Sequence, residues 1–226
     1  CGLSESKVNE LVQNVLKLKG PVVGLTARET GVDIRIVAQE GSGARSRSTV
    51  ERTEAEIRKR LGDAVYGVDG QEMEEVLGAL LIQRKMTIAV AESCTGGLIG
   101  ARITNISGSS AWFERGVVTY SNASKSELLG VSVELIEKHG AVSREVARAM
   151  AQGIRERAKT ALGLAVTGIA GPTGGTQEKP VGLVYIALAS VDGVTVDEHR
   201  FLGTRGQVRQ RSAQMAMDMV RRYLIA

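Results

Sequence analysis

The sequence predicts an α/β fold: a layered domain with a mixed sheet and helices on both faces, preceded by a small α+β domain. Three observations carry that prediction. From residue 71 onward, β-branched apolar runs alternate with stretches of helical period, the pattern of a sheet covered by helices. Near the C-terminus, runs over 181–189 and 194–202 flank Asp192-Gly193, a hairpin signal that adds antiparallel strands to an otherwise parallel arrangement. Before residue 69 the order is helix, strand, strand, helix, strand, enough for a separate small module. A chain of 226 residues has room for both.

The elements follow in order. Residues 4–18 place Val8, Leu11, Val12, Val15 and Leu16 at helical spacing, with Ser4 as the cap. Segments 21–25 and 32–37 read as strands, the second with clean alternation. The loop Gly41-Ser42-Gly43-Ala44-Arg45 leads into a helix over 48–61, and 64–68 reads as a last short strand. Gly41-Ser42-Gly43 with Arg45 and Arg47 could cradle a phosphate or an RNA backbone. Short glycine–arginine loops are unspecific, however, and the acids and bases of this module nearly balance, so a structural loop is the expectation. Val68-Asp69-Gly70 marks the boundary, giving domains 1–68 and 69–226.

In the second domain, Met73, Val76, Leu77, Leu80 and Leu81 mark an amphipathic helix over 71–84, and 87–90 reads as a strand. A helix follows to about residue 103, then a loop over 104–110, then a strand over 117–120. The polar segment Ser121-Asn122-Ala123-Ser124-Lys125 opens a helix through residue 129. Helices over 133–139 and 143–158 precede a strand over 164–167, which runs into Gly168-Ile169-Ala170-Gly171-Pro172-Thr173-Gly174-Gly175. Such a long glycine-rich loop at a strand end is more often a binding element than a connector. A helix over 204–223 closes the chain.

Composition narrows the function classes. Aromatics are only 3% of the chain, so Ala, Val, Leu and Ile must build the core, which argues against an aromatic stacking platform for single-stranded nucleic acid. The formal charge of +4 is modest and alternates in sign along the chain, unlike a nucleic-acid stripe. No apolar run approaches the roughly 20 residues of a membrane span. With no signal peptide and two cysteines, Cys1 and Cys94, the expected setting is a reducing cytoplasm. Because the sequence opens at Cys1, it is expected to be part of something longer. The alanine-rich helices leave room for a homodimer, the oligomeric state expected here.

The chemistry centres on Val90-Ala91-Glu92-Ser93-Cys94-Thr95-Gly96-Gly97. Strand, glycine turn and helix together aim backbone N–H groups at an anion or a developing oxyanion, with Ser93 where a nucleophile would stand. The plainer reading is that Ser93 or Thr95 caps the following helix. No metal-ligand set exists, and His139 and His199 lie far along the chain from the glycine loops. A serine without histidine needs another base. Lys125 is best placed, with Lys179 in Glu178-Lys179-Pro180 second, since burial can lower a lysine pKa towards neutrality. A lysine in the first turn of a helix opposes the helix dipole, which favours a functional reason for it. Tyr120 could pass a proton between Ser93 and Lys125, or simply pack at the rim. Cys94 is a rival nucleophile, or a small buried residue. Arg205 and Arg209, one turn apart, could bind a phosphate or be surface charges.

Five motifs occur in order: Ala91-Glu92-Ser93-Cys94-Thr95-Gly96-Gly97; Gly108-Ser109-Ser110-Ala111-Trp112-Phe113; Val118-Thr119-Tyr120-Ser121-Asn122 with Lys125; Gly140-Ala141-Val142-Ser143; and Thr167-Gly168-Ile169-Ala170-Gly171-Pro172 with Lys179-Pro180-Val181-Gly182. Together they resemble the C-terminal domain of the competence/damage-inducible protein CinA family, over roughly residues 70–226. Residues 1–68 resemble that family's KH-like middle domain. The N-terminal domain usual in the family, similar to molybdopterin-binding proteins and associated with ADP-ribose pyrophosphatase activity, lies outside the sequence, and that activity is not assigned.

The resemblance implies an amidohydrolase that converts nicotinamide mononucleotide to nicotinate mononucleotide and ammonia, without a cofactor or metal. Ser93 would be the nucleophile, Lys125 the base and Tyr120 an aid to proton transfer. The Thr95-Gly96-Gly97 backbone would supply oxyanion donors or position the carboxamide. Asn122, Thr167, Gly168 and Gly171 would line the nucleotide pocket, and Arg205 would face the phosphate, although Gly203-Thr204-Arg205 fits the family's last motif more loosely. One alternative is a non-catalytic competence or DNA-damage interaction protein with a vestigial pocket. Another is a hydrolase of some other amide or nucleotide.

Overall fold

In the computed structural model, which describes residues 1–17, 21–38 and 43–226, the chain divides between Tyr66 and Gly67 into two units. In the smaller one, helix α1 (Glu5–Leu16) starts where the Ser4 hydroxyl accepts the Lys7 N–H at 3.2 Å. Its Val8, Val12 and Val15 share a face and join Ile57 in a small core. Strands β1 (Pro21–Ala27) and β2 (Val32–Ala38) pair antiparallel, with Val23 opposite Ile36. Helix α2 (Gly43–Leu61) completes the core.

Two expectations change here. Arg45 and Arg47 belong to α2 rather than to a loop, because arginine is a good helix former and the helix starts earlier than its apolar period shows. Gly43 of that proposed cradle opens α2, whereas its Gly41 and Ser42 lie outside the described residues, as does Leu18. The strand expected over 64–68 is not formed. A 3₁₀ turn (Gly62–Ala64) takes its place, the Val65 N–H bonds back to the Gly62 carbonyl at 3.1 Å, and the Ala64 carbonyl accepts from the Cys1 amino group. These backbone groups are satisfied within the turn and by the chain start, not by a strand.

The larger unit begins with α3 (Met73–Arg84), β3 (Ile88–Glu92), α4 (Leu98–Thr104) and β4 (Phe113–Val118). Helices α5 (Asn122–Leu129), α6 (Val133–His139) and α7 (Arg144–Ala158) follow. Strands β5 (Leu162–Gly168), β6 (Leu183–Ser190) and β7 (Gly193–Arg200) and helix α8 (Arg205–Ile225) complete the chain. The sheet order is β4-β3-β5-β6-β7, with β4, β3 and β5 parallel and β6 and β7 antiparallel. This is the mixed sheet the hairpin signal predicted. Strand β3 runs on to Glu92. Strand β4 stops at Val118, earlier than expected, and leaves Thr119 and Tyr120 beyond the sheet, where the Ser121 hydroxyl caps α5.

Alternation along the strands assigns the two faces. Register places Ala91, Ala165, Ala187 and Val196 in one cross-strand row, and Ala89, Gly163, Ala189 and Val194 in another. Helix α7 lies over these small residues with Val146, Ala147, Met150, Ala151 and Ile154. The approach is close enough that a Cβ on Gly163 would stand 2.4 Å from the Ala151 carbonyl oxygen. The other parity, including Ile88, Val90, Leu164, Val166 and Ile186, is buried on the side where α8 packs on the sheet and on α3 and α4. The three parallel strands end along one edge of the sheet, where ligands collect in folds of this type.

Candidate active site

Alternation past the end of β3 separates two neighbouring side chains. Glu92 reaches α4, whereas Ser93 reaches α5. The Ser93 N–H extends the parallel ladder by bonding the Val166 carbonyl at 3.0 Å, which fixes where the hydroxyl stands. On α5, Ser121 is the N-cap and Lys125 sits one turn in, so its long side chain reaches back towards the end of the sheet.

Ser93 Oγ and Lys125 Nζ are 3.2 Å apart. Lys125 Nζ also donates to the Thr119 carbonyl at 2.8 Å. Lys125 is 1% exposed, and burial lowers its pKa from the ordinary lysine value against a smaller upward pull from Cys94. A buried amine with a lowered pKa beside a serine hydroxyl has the placement that general-base chemistry requires. Thr119 is tied in turn to β3, its N–H bonding the Glu92 carbonyl at 2.7 Å.

The turn itself is held from two sides. Glu92, 1% exposed, accepts three backbone N–H groups through its carboxylate: Gly97 at 3.0 Å and Ile99 at 3.1 Å on Oε2, and Gly100 at 2.8 Å on Oε1. The capping of α4 therefore comes from Glu92, and neither Ser93 nor Thr95 performs it. From α8, Arg209 donates to the Thr95 carbonyl through Nε at 3.2 Å and Nη2 at 2.7 Å. Gly96 and Gly97 adopt φ of 60° and 92°, which only glycine takes without strain.

That arrangement sorts the N–H groups of the turn. Gly96 bonds the Ser93 carbonyl at 3.1 Å and Gly97 is held by Glu92, so neither is a free oxyanion donor as the sequence suggested. The N–H groups of Cys94 and Thr95 donate to no backbone or side-chain oxygen among the described residues. Thr95 is wholly buried, and its Oγ1 has no hydrogen-bond partner among them.

The other candidates divide. Tyr120 is 60% exposed and its hydroxyl accepts from Arg205 Nη2 at 2.8 Å, so the structure joins it to Arg205 and not to the Ser93–Lys125 pair. Arg205 Nη1 donates to the Gly171 carbonyl at 2.8 Å, and a Cβ on Gly171 would meet Val181 at 2.4 Å. Gly168 is crowded by Val184 and Leu183, so it shapes the loop through the side chain it lacks. Thr167 is wholly buried and donates its hydroxyl to the Ala141 carbonyl at 2.8 Å. Asn122 is exposed in the first turn of α5.

Lys179, the second candidate base, points its ammonium at the His139 and Val142 carbonyls instead. Cys94 is buried, and that burial pushes its thiol up to about 12, which removes it as a rival nucleophile. His139 lies 3.6 Å from Glu145, and His199 stacks on Phe201, both away from the pair. Among the described residues no group of His, Cys, Asp or Glu could hold a metal, and no helix is long and apolar enough to cross a membrane.

Sequence reasoning missed three contributors. Glu92 carried no assigned role, although its place at the strand end, on the face opposite to Ser93, was readable from alternation. Thr119 acts through its carbonyl, which has no sequence signature. Arg209 was weighed only as a phosphate ligand or surface charge.

Comparison with known proteins agrees with this architecture. The family model of the CinA C-terminal domain matches residues 70–224, and that of the damage-inducible protein CinA KH domain matches residues 1–67. A protein of Thermoanaerobacter pseudethanolicus named as competence-damage inducible is 46% identical over 224 residues, which is 99% of this chain and 54% of that protein. A relative of the same name in Moorella thermoacetica is 45% identical over 226 residues, 100% of this chain and 55% of its own length. The chain thus spans about half the length of the curated relatives it matches. The crystal structure of competence/damage inducible protein CihA from Agrobacterium tumefaciens superposes with TM-score 0.64 at 40% identity, covering 71% of this chain and 99% of that one. A CinA superfamily protein from Klebsiella pneumoniae superposes with TM-score 0.65 at 31% identity, covering 69% and 99%.

Proposed function

The chain belongs to the CinA family over its KH and C-terminal domains, and on that premise we propose that Ser93 and Lys125 hydrolyse the carboxamide of nicotinamide mononucleotide to nicotinate mononucleotide and ammonia. The observation that carries this reading is the 3.2 Å approach of Ser93 Oγ to a buried lysine whose pKa is lowered.

The pyridinium ring withdraws electrons from the carboxamide carbon. As Ser93 Oγ attacks that carbon, Lys125 Nζ takes the hydroxyl proton, while its N–H bond to Thr119 keeps the lone pair aimed at the serine. Negative charge moves to the amide oxygen, where the Cys94 and Thr95 N–H groups are the donors left free to receive it. Collapse breaks the C–N bond, and Lys125 returns its proton to the leaving ammonia. Water, deprotonated by the same amine, then opens the Ser93 ester, and Lys125 returns that proton to the departing Ser93 Oγ. Arg205 and Arg209 begin α8 beside the glycine loop. Arg209 Nη1 and Arg205 Nε, which hold none of the contacts above, are the groups offered to the nucleotide phosphate. The hydrolase works in pyridine nucleotide recycling.

The test is ammonia release from nicotinamide mononucleotide by the wild-type chain and by Ser93→Ala. Turnover by the wild type and none by a folded Ser93→Ala is expected. Wild-type-like release by the variant removes the serine mechanism, and no release by either removes the substrate.

A further inference from the structure

The connection between α6 and α7 turns at Gly140, with φ 77°, and presents four successive carbonyls to side chains. Lys179 Nζ donates to His139 O at 2.6 Å and to Val142 O at 2.8 Å. Ser143 Oγ donates to Gly140 O at 2.9 Å, and Thr167 Oγ1 to Ala141 O at 2.8 Å. Glycine makes room for the ammonium, since a Cβ at position 140 would stand 2.9 Å from Lys179 Nζ. His139 ends α6, so its carbonyl belongs to the negative end of a helix, where a cation is favoured. This is a seat for a monovalent ammonium, and the protein fills it with its own lysine.

The seat adjoins the catalytic pair. Thr167, one of its donors, follows Val166, whose carbonyl holds the Ser93 N–H at 3.0 Å. Lys179 itself belongs to the glycine-rich loop over 169–182. Its backbone closes a turn with Thr176, N to Oγ1 at 3.0 Å and Thr176 N to Lys179 O at 2.8 Å. The other end of the loop is held where Arg205 meets the Gly171 carbonyl. Thus Lys179 anchors the far side of a wall whose near side α8 anchors.

We propose that Lys179 is a positioning residue: its ammonium fills a carbonyl-lined seat on the α6–α7 connection and so holds the glycine-rich loop in its pocket-lining conformation. The seat recognises a primary ammonium, so a small free alkylammonium ion enters it when the tether is cut. The kinetic arm of the test rests on the amidase reading, and the exchange arm does not.

The experiment compares wild type, Lys179→Ala and Lys179→Met as full chains. Hydrogen exchange is followed over residues 169–181, and nicotinate mononucleotide is measured chromatographically. Each is repeated with n-propylammonium chloride, which replaces the methylenes and ammonium removed in Lys179→Ala, and with tetramethylammonium chloride at equal ionic strength. The expected result is faster loop exchange in both variants. KM should rise by about tenfold, the worth of one hydrogen bond to a charged group, with kcat and the pH profile unchanged. Propylammonium restores protection and KM in Lys179→Ala, whereas tetramethylammonium, which has no N–H, does not. Unchanged loop exchange in both variants overturns the proposal, as does equal rescue by the two salts. If Lys179→Ala does not fold, exchange in Lys179→Met decides alone. If the wild type forms no product, the amidase reading fails while the exchange result still stands for or against Lys179.

Discussion

Replacing Glu92 by glutamine changes one atom in a buried site and should unsettle the whole nucleophile turn. The carboxylate accepts Gly97 and Ile99 on one oxygen and Gly100 on the other. A glutamine that keeps the first two bonds must present its NH₂ to the Gly100 N–H, donor against donor, at a site 1% exposed. An unsatisfied buried donor costs about 1–3 kcal/mol. Losing the charge at the start of α4 adds about 1 kcal/mol. A total of about 3 kcal/mol, at about 2–4 °C per kcal/mol for a protein of this size, lowers the midpoint of the larger unit by about 6–12 °C. Trp112, the single tryptophan and 1% exposed, reports that unit by its fluorescence during a thermal scan. Ammonia release should fall as well, because the unpartnered Gly100 N–H loosens the start of α4 and with it the turn that carries Ser93. A midpoint within about 1 °C of wild type would refute the assignment, since no arrangement of an amide satisfies all three N–H groups.

Two further outcomes follow from the titratable groups of the site. Burial lowers the Lys125 pKa in the folded chain below the ordinary 10.5, so between those values the unfolded chain binds more protons and stability rises with pH. Wild type should therefore gain stability relative to Lys125→Met as pH climbs towards 10.5 and level off above it, and a pH-independent difference in denaturant titrations would sink this account. Cys94, with its thiol pushed up to about 12, should escape iodoacetamide at neutral pH in the folded protein, as peptide mass spectrometry can check. Prompt alkylation there would mean that the turn opens readily.

The residues differ in how openly they declare these roles. The period of α7 and the hairpin at Asp192-Gly193 are local patterns, and both elements formed where the sequence puts them. Ser93 and Lys125, which the structure brings together, were legible because each is odd in its own setting: a serine in a glycine turn at a strand end, and a lysine at the unfavourable end of a helix. Lys125 already ranked ahead of Lys179 in the sequence; what only three dimensions supply is their contacts, Ser93 for the one and the His139 and Val142 carbonyls for the other. The segment 64–68 has strand composition but pairs with no strand among the described residues, and β propensity without a partner decides little. Tyr120 is a strand-end tyrosine in the sequence. Its hydroxyl went to Arg205, 85 residues further along the chain, a pairing no local pattern encodes.

The antiparallel half of the sheet has a practical consequence. Because β6 runs against β5, its turn into β7 lies at the opposite end of the strands from Ser93. Val191 in that turn is 79% exposed, and Tyr223 bonds Asp192 at 2.8 Å beside it. Chain length can change there without breaking a rung of the ladder. A fluorescent reporter or a fused domain spliced after Val191 would hang from the rim remote from the chemistry, leaving the working end of the molecule open to whatever it binds.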